Sequence, residues 1–168
     1  MSSYGSPDLK SFKLYTRLSC LMFKQVLDQR ISLLRQIDDA LMDRLTKAAM
    51  AARENAHAPY SGFKVGAAVL DEQGHIFAGC NVENASYPMG TCAEPSALGA
   101  MITAGGKRCS VVLVIGGEGG LTPCGGCRQK IAELGGPDCQ VLSLAADGSG
   151  LESWTLAELL PSAFELKP

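Results

Sequence analysis

Between Asp39 and Ala56 the apolar side chains Leu41, Met42, Leu45, Ala48, Ala49 and Ala52 return at helical spacing among charged and polar neighbours, and Pro59 closes the segment. The pattern predicts a first core helix. Residues 63–70 form a nearly unbroken apolar run suited to a buried strand, followed by a tight turn over residues 71–74 and a hairpin partner over residues 75–82. Residues 92–104 read as a helix ended by Gly105 and Gly106. The apolar run 111–115 suits a central strand, residues 127–134 a second helix stopped by Gly135, Gly136 and Pro137, and residues 140–144 another strand. A small helix is expected over residues 156–160. The order helix, hairpin, helix, strand, helix, strand predicts an α/β fold with a single mixed sheet flanked by helices. No internal repeat is visible.

Upstream, Leu14, Leu18, Leu21, Met22, Val26, Leu27, Ile31, Leu34 and Ile37 are spaced loosely as an amphipathic helix, without a catalytic constellation. Residues 1–38 are expected to be an N-terminal extension, helical or poorly ordered, and residues 39–168 the domain that carries the chemistry. The extension is either an added packing helix or sequence upstream of a later start at Met22 or Met42.

Length and charge narrow the function. A chain of 168 residues is one domain, large enough to bury a core without disulfides. A formal charge of −2 and the lack of a dense Lys/Arg run leave no electrostatic footprint for a phosphate backbone, so a small neutral substrate is expected rather than nucleic acid. No apolar stretch approaches the roughly 20 residues that cross a bilayer, and no secretory signal opens the chain, so no membrane partner and a cytoplasmic location are expected. Seven cysteines, an odd number, point to reduced thiols and a metal site rather than a disulfide framework. Cys20, Cys80, Cys109 and Cys139 stand alone and read as small buried apolar side chains.

The chemistry gathers at two expected helix starts, Thr91-Cys92-Ala93-Glu94 and Pro123-Cys124-Gly125-Gly126-Cys127. Residues three apart share one side of a first helical turn, so Cys124 and Cys127 can hold one metal with both sulfurs. The helix dipole and free backbone N–H groups favour thiolate, which is expected to lower the pKa of these cysteines. Cys92 supplies a third sulfur. Structural zinc is usually closed by four protein ligands, whereas three leave a place for water, as in catalytic zinc. Glu94, two residues beyond Cys92, then stands beside the metal without occupying it. Zinc lowers the pKa of bound water toward about 7, and a neighbouring carboxylate can take the proton and return it to a ring nitrogen and a leaving amine.

A first ligand, Glu two residues later and a following Pro-Cys-x-x-Cys form the known signature of the zinc deaminases. With Cys92 as that ligand, residues 81–87 (Asn-Val-Glu-Asn-Ala-Ser-Tyr) just upstream, residues 58–68 in front and Cys124 through Gln129 behind, the chain resembles the small homotetrameric cytidine deaminases. The resemblance runs from about Asp39 through Phe164. It implies a mixed five-stranded sheet in three α/β/α layers, one Zn²⁺ per subunit on Cys92, Cys124 and Cys127, Glu94 as the catalytic residue, and no organic cofactor. The implied reaction is hydrolytic deamination of cytidine and deoxycytidine to uridine and deoxyuridine, a step of pyrimidine salvage, in a homotetramer with sites at subunit junctions. By the same resemblance Phe63 stacks near the pyrimidine, Asn81 and Glu83 bind the ribose hydroxyls, and Ala93 offers its backbone to the base edge. Tyr87 and Phe164 help to close a neighbouring subunit's site. Each has a plainer reading: core for Phe63, turn for Asn81, solvated charge for Glu83, packing for Tyr87 and Phe164. The metal motif tips the balance for Phe63, Asn81 and Glu83.

One position departs from the family. Relatives commonly carry Arg after the catalytic Glu, where it offsets the charge of the ligand thiolates; this chain has Pro95. Proline is acceptable in a helix's first turn, so the fold is expected to survive, with Ser96, Arg128 or the helix N-termini as candidate compensation. Rival readings are a closed site with Cys80 or Cys109 as fourth thiolate, a redox Cys124/Cys127 pair, a nucleic-acid or tRNA adenosine deaminase, and deaminases of blasticidin or guanine. The first two leave Glu94 without a use. The nucleic-acid and guanine enzymes usually begin with His, and residues 81–84 argue for ribose over blasticidin.

Overall fold

The computed structural model describes residues 37–166, so the expectation for the N-terminal extension falls, but for its last two residues, outside the described residues. Helix α1 (Asp39–Glu54) leads into the hairpin β1 (Gly66–Asp71) and β2 (Ile76–Cys80). A 3₁₀ turn (Tyr87–Met89) precedes α2 (Ala93–Thr103), β3 (Cys109–Ile115), α3 (Gly125–Gly135), β4 (Gln140–Leu144), β5 (Glu152–Thr155) and α4 (Leu156–Leu159). The five strands form one mixed sheet in the order β2-β1-β3-β4-β5, with β3 and β4 parallel and every other pair antiparallel. No helix among the described residues is long and apolar enough to cross a membrane.

Strand alternation builds the core. Ala67, Val69, Val112, Val114 and Val141 point to one face, where Ala97, Leu98 and Met101 of α2 and Ile131 of α3 cover them. Each fully buried aliphatic side chain of the larger kind contributes about 1.5–3 kcal/mol. Two glycines set how near the helices lie to the hairpin. A Cβ on Gly66 would fall 2.0 Å from the Ala49 carbonyl oxygen of α1, and one on Gly79 would fall 2.4 Å from the Ala97 nitrogen of α2. The second contact places the start of α2 against the end of β2, which is where the chemistry lies.

Three expectations about the elements are corrected. β1 starts at Gly66 rather than at residue 63, because the Asn81 side chain takes the Val65 N–H and donates to the Phe63 carbonyl, replacing ladder bonds with a side-chain bridge. Both central helices have Cys at the N-cap, α2 starting at Ala93 and α3 at Gly125, two residues before the expected Cys127. The strand β5 has no counterpart in the hydrophobic pattern. Glu152-Ser153-Trp154-Thr155 is short and polar, and it pairs on one side only, with β4, so it needs no apolar alternation. Its last residue caps α4: Thr155 and Glu158 form a reciprocal capping box.

Candidate active site

Two isolated bridges assemble the site from separate loops. Val82 pairs in parallel with His57 and antiparallel with Thr91, its N–H donating to the Thr91 carbonyl at 2.8 Å and the Thr91 N–H returning at 2.9 Å. The pairing brings the segments around residues 57–62 and 81–84 beside Cys92, the next residue in the chain. Cys92 and Cys124 occupy N-caps with nearly the same extended backbone, φ −72° and ψ 167° against φ −64° and ψ 166°. Cys127 follows in the first turn of α3. The three sulfurs lie within 4.8 Å of one another, with Cys127 buried and Cys92 and Cys124 exposed. No other Cys, His, Asp or Glu among the described residues joins them. Cys80 stays in β2, and Cys109 lies against Cys139 with the sulfurs 3.9 Å apart. The closed four-thiolate reading therefore loses its fourth sulfur.

Glu94 is 3% exposed, one of few buried acids. Burial holds its carboxyl above the ordinary range, against smaller downward pulls from its own backbone, the Cys127 thiol and the Lys130 charge. The expected lowering of the cysteine pKa values is found for Cys124 alone. There burial pushes upward, but the peptide N–H and thiol of Cys127 and the thiol of Cys92 outweigh it. Cys92 and Cys127 are raised instead, by burial first, with the Glu94 charge adding to it. Burial and the neighbouring carboxyl thus outweigh the helix N-termini at Cys92 and Cys127; a bound dication would favour their thiolates.

Beside the sulfurs opens a cleft of about 530 Å³, lined among others by Tyr60, Ser61, Asn81, Glu83, Tyr87 and Cys92. Glu83 accepts from the Tyr60 N–H at 2.9 Å, from the Ser61 N–H at 3.2 Å and from the Ser61 hydroxyl, which holds its carboxyl below the usual range. A carboxylate accepts about four hydrogen bonds, so roughly one acceptor site remains. Asn81 accepts from Val65 N at 2.8 Å and donates to Phe63 O at 2.9 Å, leaving one amide hydrogen. Phe63 is 48% exposed, Tyr87 80% and Phe164 71%, so none of the three is core in this chain, and Tyr87 meets the Tyr60 ring edge-on at 6.5 Å. Ala93, by contrast, is fully buried at the first position of α2. Phe63, Ala93 and Phe164 are not among the residues lining this cleft.

Spacing did not reveal Ser61, and it gave Arg128 a different role. Ser61 orients Glu83 across 22 residues. Arg128 donates from Nε to the Pro123 carbonyl at 2.7 Å, from Nη1 to the Leu159 carbonyl at 2.9 Å and from Nη2 to Thr122 Oγ1 at 3.3 Å, bracing the loop before Cys124. Ser96 Oγ donates to the Cys92 carbonyl at 3.1 Å. Neither Ser96 nor Arg128 hydrogen-bonds a sulfur, so neither supplies the compensation expected for Pro95. Pro95 itself sits in the first turn of α2 without interrupting the helix.

Known proteins match this arrangement. The model of the cytidine and deoxycytidylate deaminase zinc-binding region covers residues 40–143. Over 126 residues the chain is 41% identical to a cytidine deaminase of Sporosarcina psychrophila, spanning 73% of this chain and 90% of the relative. A cytidine deaminase of Halalkalibacterium halodurans is 42% identical over 126 residues, with 73% and 95% covered. The crystal structure of cytidine deaminase from Burkholderia pseudomallei superposes with a TM-score of 0.69 at 45% identity, over 73% of this chain and 98% of that one.

Proposed function

Since this chain belongs to the cytidine and deoxycytidylate deaminase family, we propose that it hydrolyses cytidine and deoxycytidine to uridine and deoxyuridine, releasing ammonia. The observation that carries the reading is three sulfurs within 4.8 Å of one another with a buried carboxyl two residues beyond the first. Three cysteine sulfurs within reach of one another are a fitting donor set for zinc, so Cys92, Cys124 and Cys127 would hold one Zn²⁺ per subunit. When bound, the zinc supplies an acidified water as nucleophile near neutral pH.

Glu94 carries the protons. Its carboxylate takes one from the water that attacks C4 of cytosine and delivers it to N3; it then passes the second to the amine, which leaves as ammonia while the carbonyl forms. Burial raises the pKa of this carboxyl, which makes it a better proton acceptor than an exposed glutamate. The remaining amide hydrogen of Asn81 and acceptor site of Glu83 face the ribose hydroxyls, Phe63 packs on the pyrimidine, and the Ala93 backbone meets the base edge. Residues 39–168 form the catalytic domain. It acts in the cytoplasm on a free nucleoside, as a homotetramer with Tyr87 and Phe164 completing a neighbour's site. The support for assembly is the exposure of several large apolar side chains, Tyr60, Phe63, Tyr87, Met89 and Phe164.

Purified full-length protein is expected to carry about one zinc per chain and to remove cytidine absorbance with matching ammonia release. A zinc-loaded tetramer inert toward both nucleosides would overturn the substrate. The departure at Pro95 has its own consequence. Pro95→Arg adds a cation beside three thiolates and offsets their charge, so the acidic limb of the pH–rate profile is expected to move to lower pH. Its effect on kcat should fall near the low end of the range for outer-shell partners, about tenfold. An unchanged rate and an unchanged profile would show that Pro95 does not tune the metal.

A further inference from the structure

Gln129 lies on α3, two residues beyond Cys127. Both ends of its amide are committed to one residue far along the chain: Nε2 donates to the Phe164 carbonyl oxygen at 2.8 Å, and Oε1 accepts from the Phe164 N–H at 3.2 Å. The orientation is forced, because a flipped amide would set donor against donor and acceptor against acceptor. Next to it, Arg128 grips the Leu159 carbonyl at 2.9 Å. Consecutive residues of the metal helix thus hold the C-terminal segment at two points.

The residue so held is unusual. Phe164 stands in residues 163–166, which form neither helix nor strand, and its side chain is 71% exposed. Its ring gains little from burial in this chain, so its backbone, not its side chain, is what the fold secures. A large apolar ring kept in water by a two-point grip on its main chain is presented outward, toward something that is not part of the same subunit.

We infer that Gln129 is a positioning residue, holding Phe164 in register with the metal helix so that the ring meets the substrate cleft of a neighbouring copy ready-placed. The inference rests on the proposed role of Phe164 in closing that cleft. Its physical content is preorganisation. Without the clamp, the segment must be ordered each time substrate binds, and that cost falls on binding rather than on the chemical step.

Full-length, zinc-loaded Gln129→Ala, Gln129→Glu, Phe164→Ala and the Gln129→Ala/Phe164→Ala double variant test it. Gln129→Ala is expected to raise the KM for cytidine about five- to tenfold, the effect of losing two hydrogen bonds, with kcat within about twofold and zinc content unchanged. Phe164→Ala should raise KM at least as much. The double variant should be no worse than Phe164→Ala alone, because the clamp acts only through that ring. Gln129→Glu keeps the acceptor but turns a carboxylate oxygen against the Phe164 carbonyl, so it should behave like the alanine variant. Hydrogen exchange at the Phe164 amide should quicken in both Gln129 variants. If Phe164→Ala raises KM while Gln129→Ala does not, the clamp has no positioning role. If Phe164→Ala leaves KM unchanged, the reading of Phe164 itself fails. A Gln129→Ala chain that loses zinc or its assembly state would place Gln129 in the framework and overturn the inference.

Discussion

Glu94→Gln is expected to leave zinc bound and to remove deaminase activity, by about 100- to 10,000-fold or more, since in the proposed mechanism one carboxyl serves as base and then as acid. The amide has the volume of the carboxyl and cannot accept and return a proton. Stability should not suffer. The native carboxyl is 3% exposed and burial raises its pKa, so folding disfavours its charged form; a neutral isostere removes that penalty. The melting temperature is therefore expected to equal or exceed that of the native chain. Zinc content, cytidine turnover and a thermal melt check the three parts together. Turnover at the native rate in a zinc-loaded Glu94→Gln chain would remove Glu94 from the mechanism.

Cys127→Ala should have the other large effect. Cys127 is the buried member of the sulfur cluster, 2% exposed, and interacts with both other sulfurs and the Glu94 carboxyl. Removing a direct ligand should cost more than the roughly 10- to 100-fold in metal affinity typical of outer-shell partners. The variant is expected to be purified without zinc and inactive. A second signature separates ligand loss from misfolding: added zinc at about 100 times its dissociation constant stabilises a binding-competent chain by about 2.7 kcal/mol, and the variant should show no such shift. Cys80→Ala, outside the cluster, should retain its zinc. Retention of zinc and activity by Cys127→Ala would break the three-sulfur site apart.

Most of the fold was legible because its central elements are periodic. β4 matches its apolar run residue for residue, and α2 and α4 lie within one residue of expectation at each end. The errors occur where a side chain competes with backbone pairing or where burial is one-sided. Asn81 displaced the start of β1 by bonding to residues 63 and 65, which no local pattern encodes. β5 escaped notice because an edge strand of four residues can satisfy its backbone with little apolar content. The mixed five-stranded sheet came from the family resemblance; the hydrophobic pattern alone offered four strands.

The metal motif was legible for a different reason. Two cysteines three apart at a helix start must share a turn, and Glu94 two residues after Cys92 must lie close to it, so local geometry constrains the chemistry before the fold is known. The acidity of those cysteines was not legible. Spacing reports the helix dipole, whereas the raised Cys92 and Cys127 depend on burial and on a carboxyl and sulfurs brought from separate segments.

By itself, then, the sequence determined the Cys124/Cys127 pair, the closeness of Glu94 to Cys92 and the helices that present them, since each follows from residues within one or two helical turns; that Cys92 meets the pair was decided by the fold. Only the tertiary structure decided that Val82 bridges His57 and Thr91, that Ser61 holds Glu83 and that Gln129 holds Phe164. These pairings join residues up to 35 positions apart. A single hydrogen bond across such a distance leaves no periodic trace, because its partner is chosen by the packing of the whole sheet and not by its neighbours along the chain.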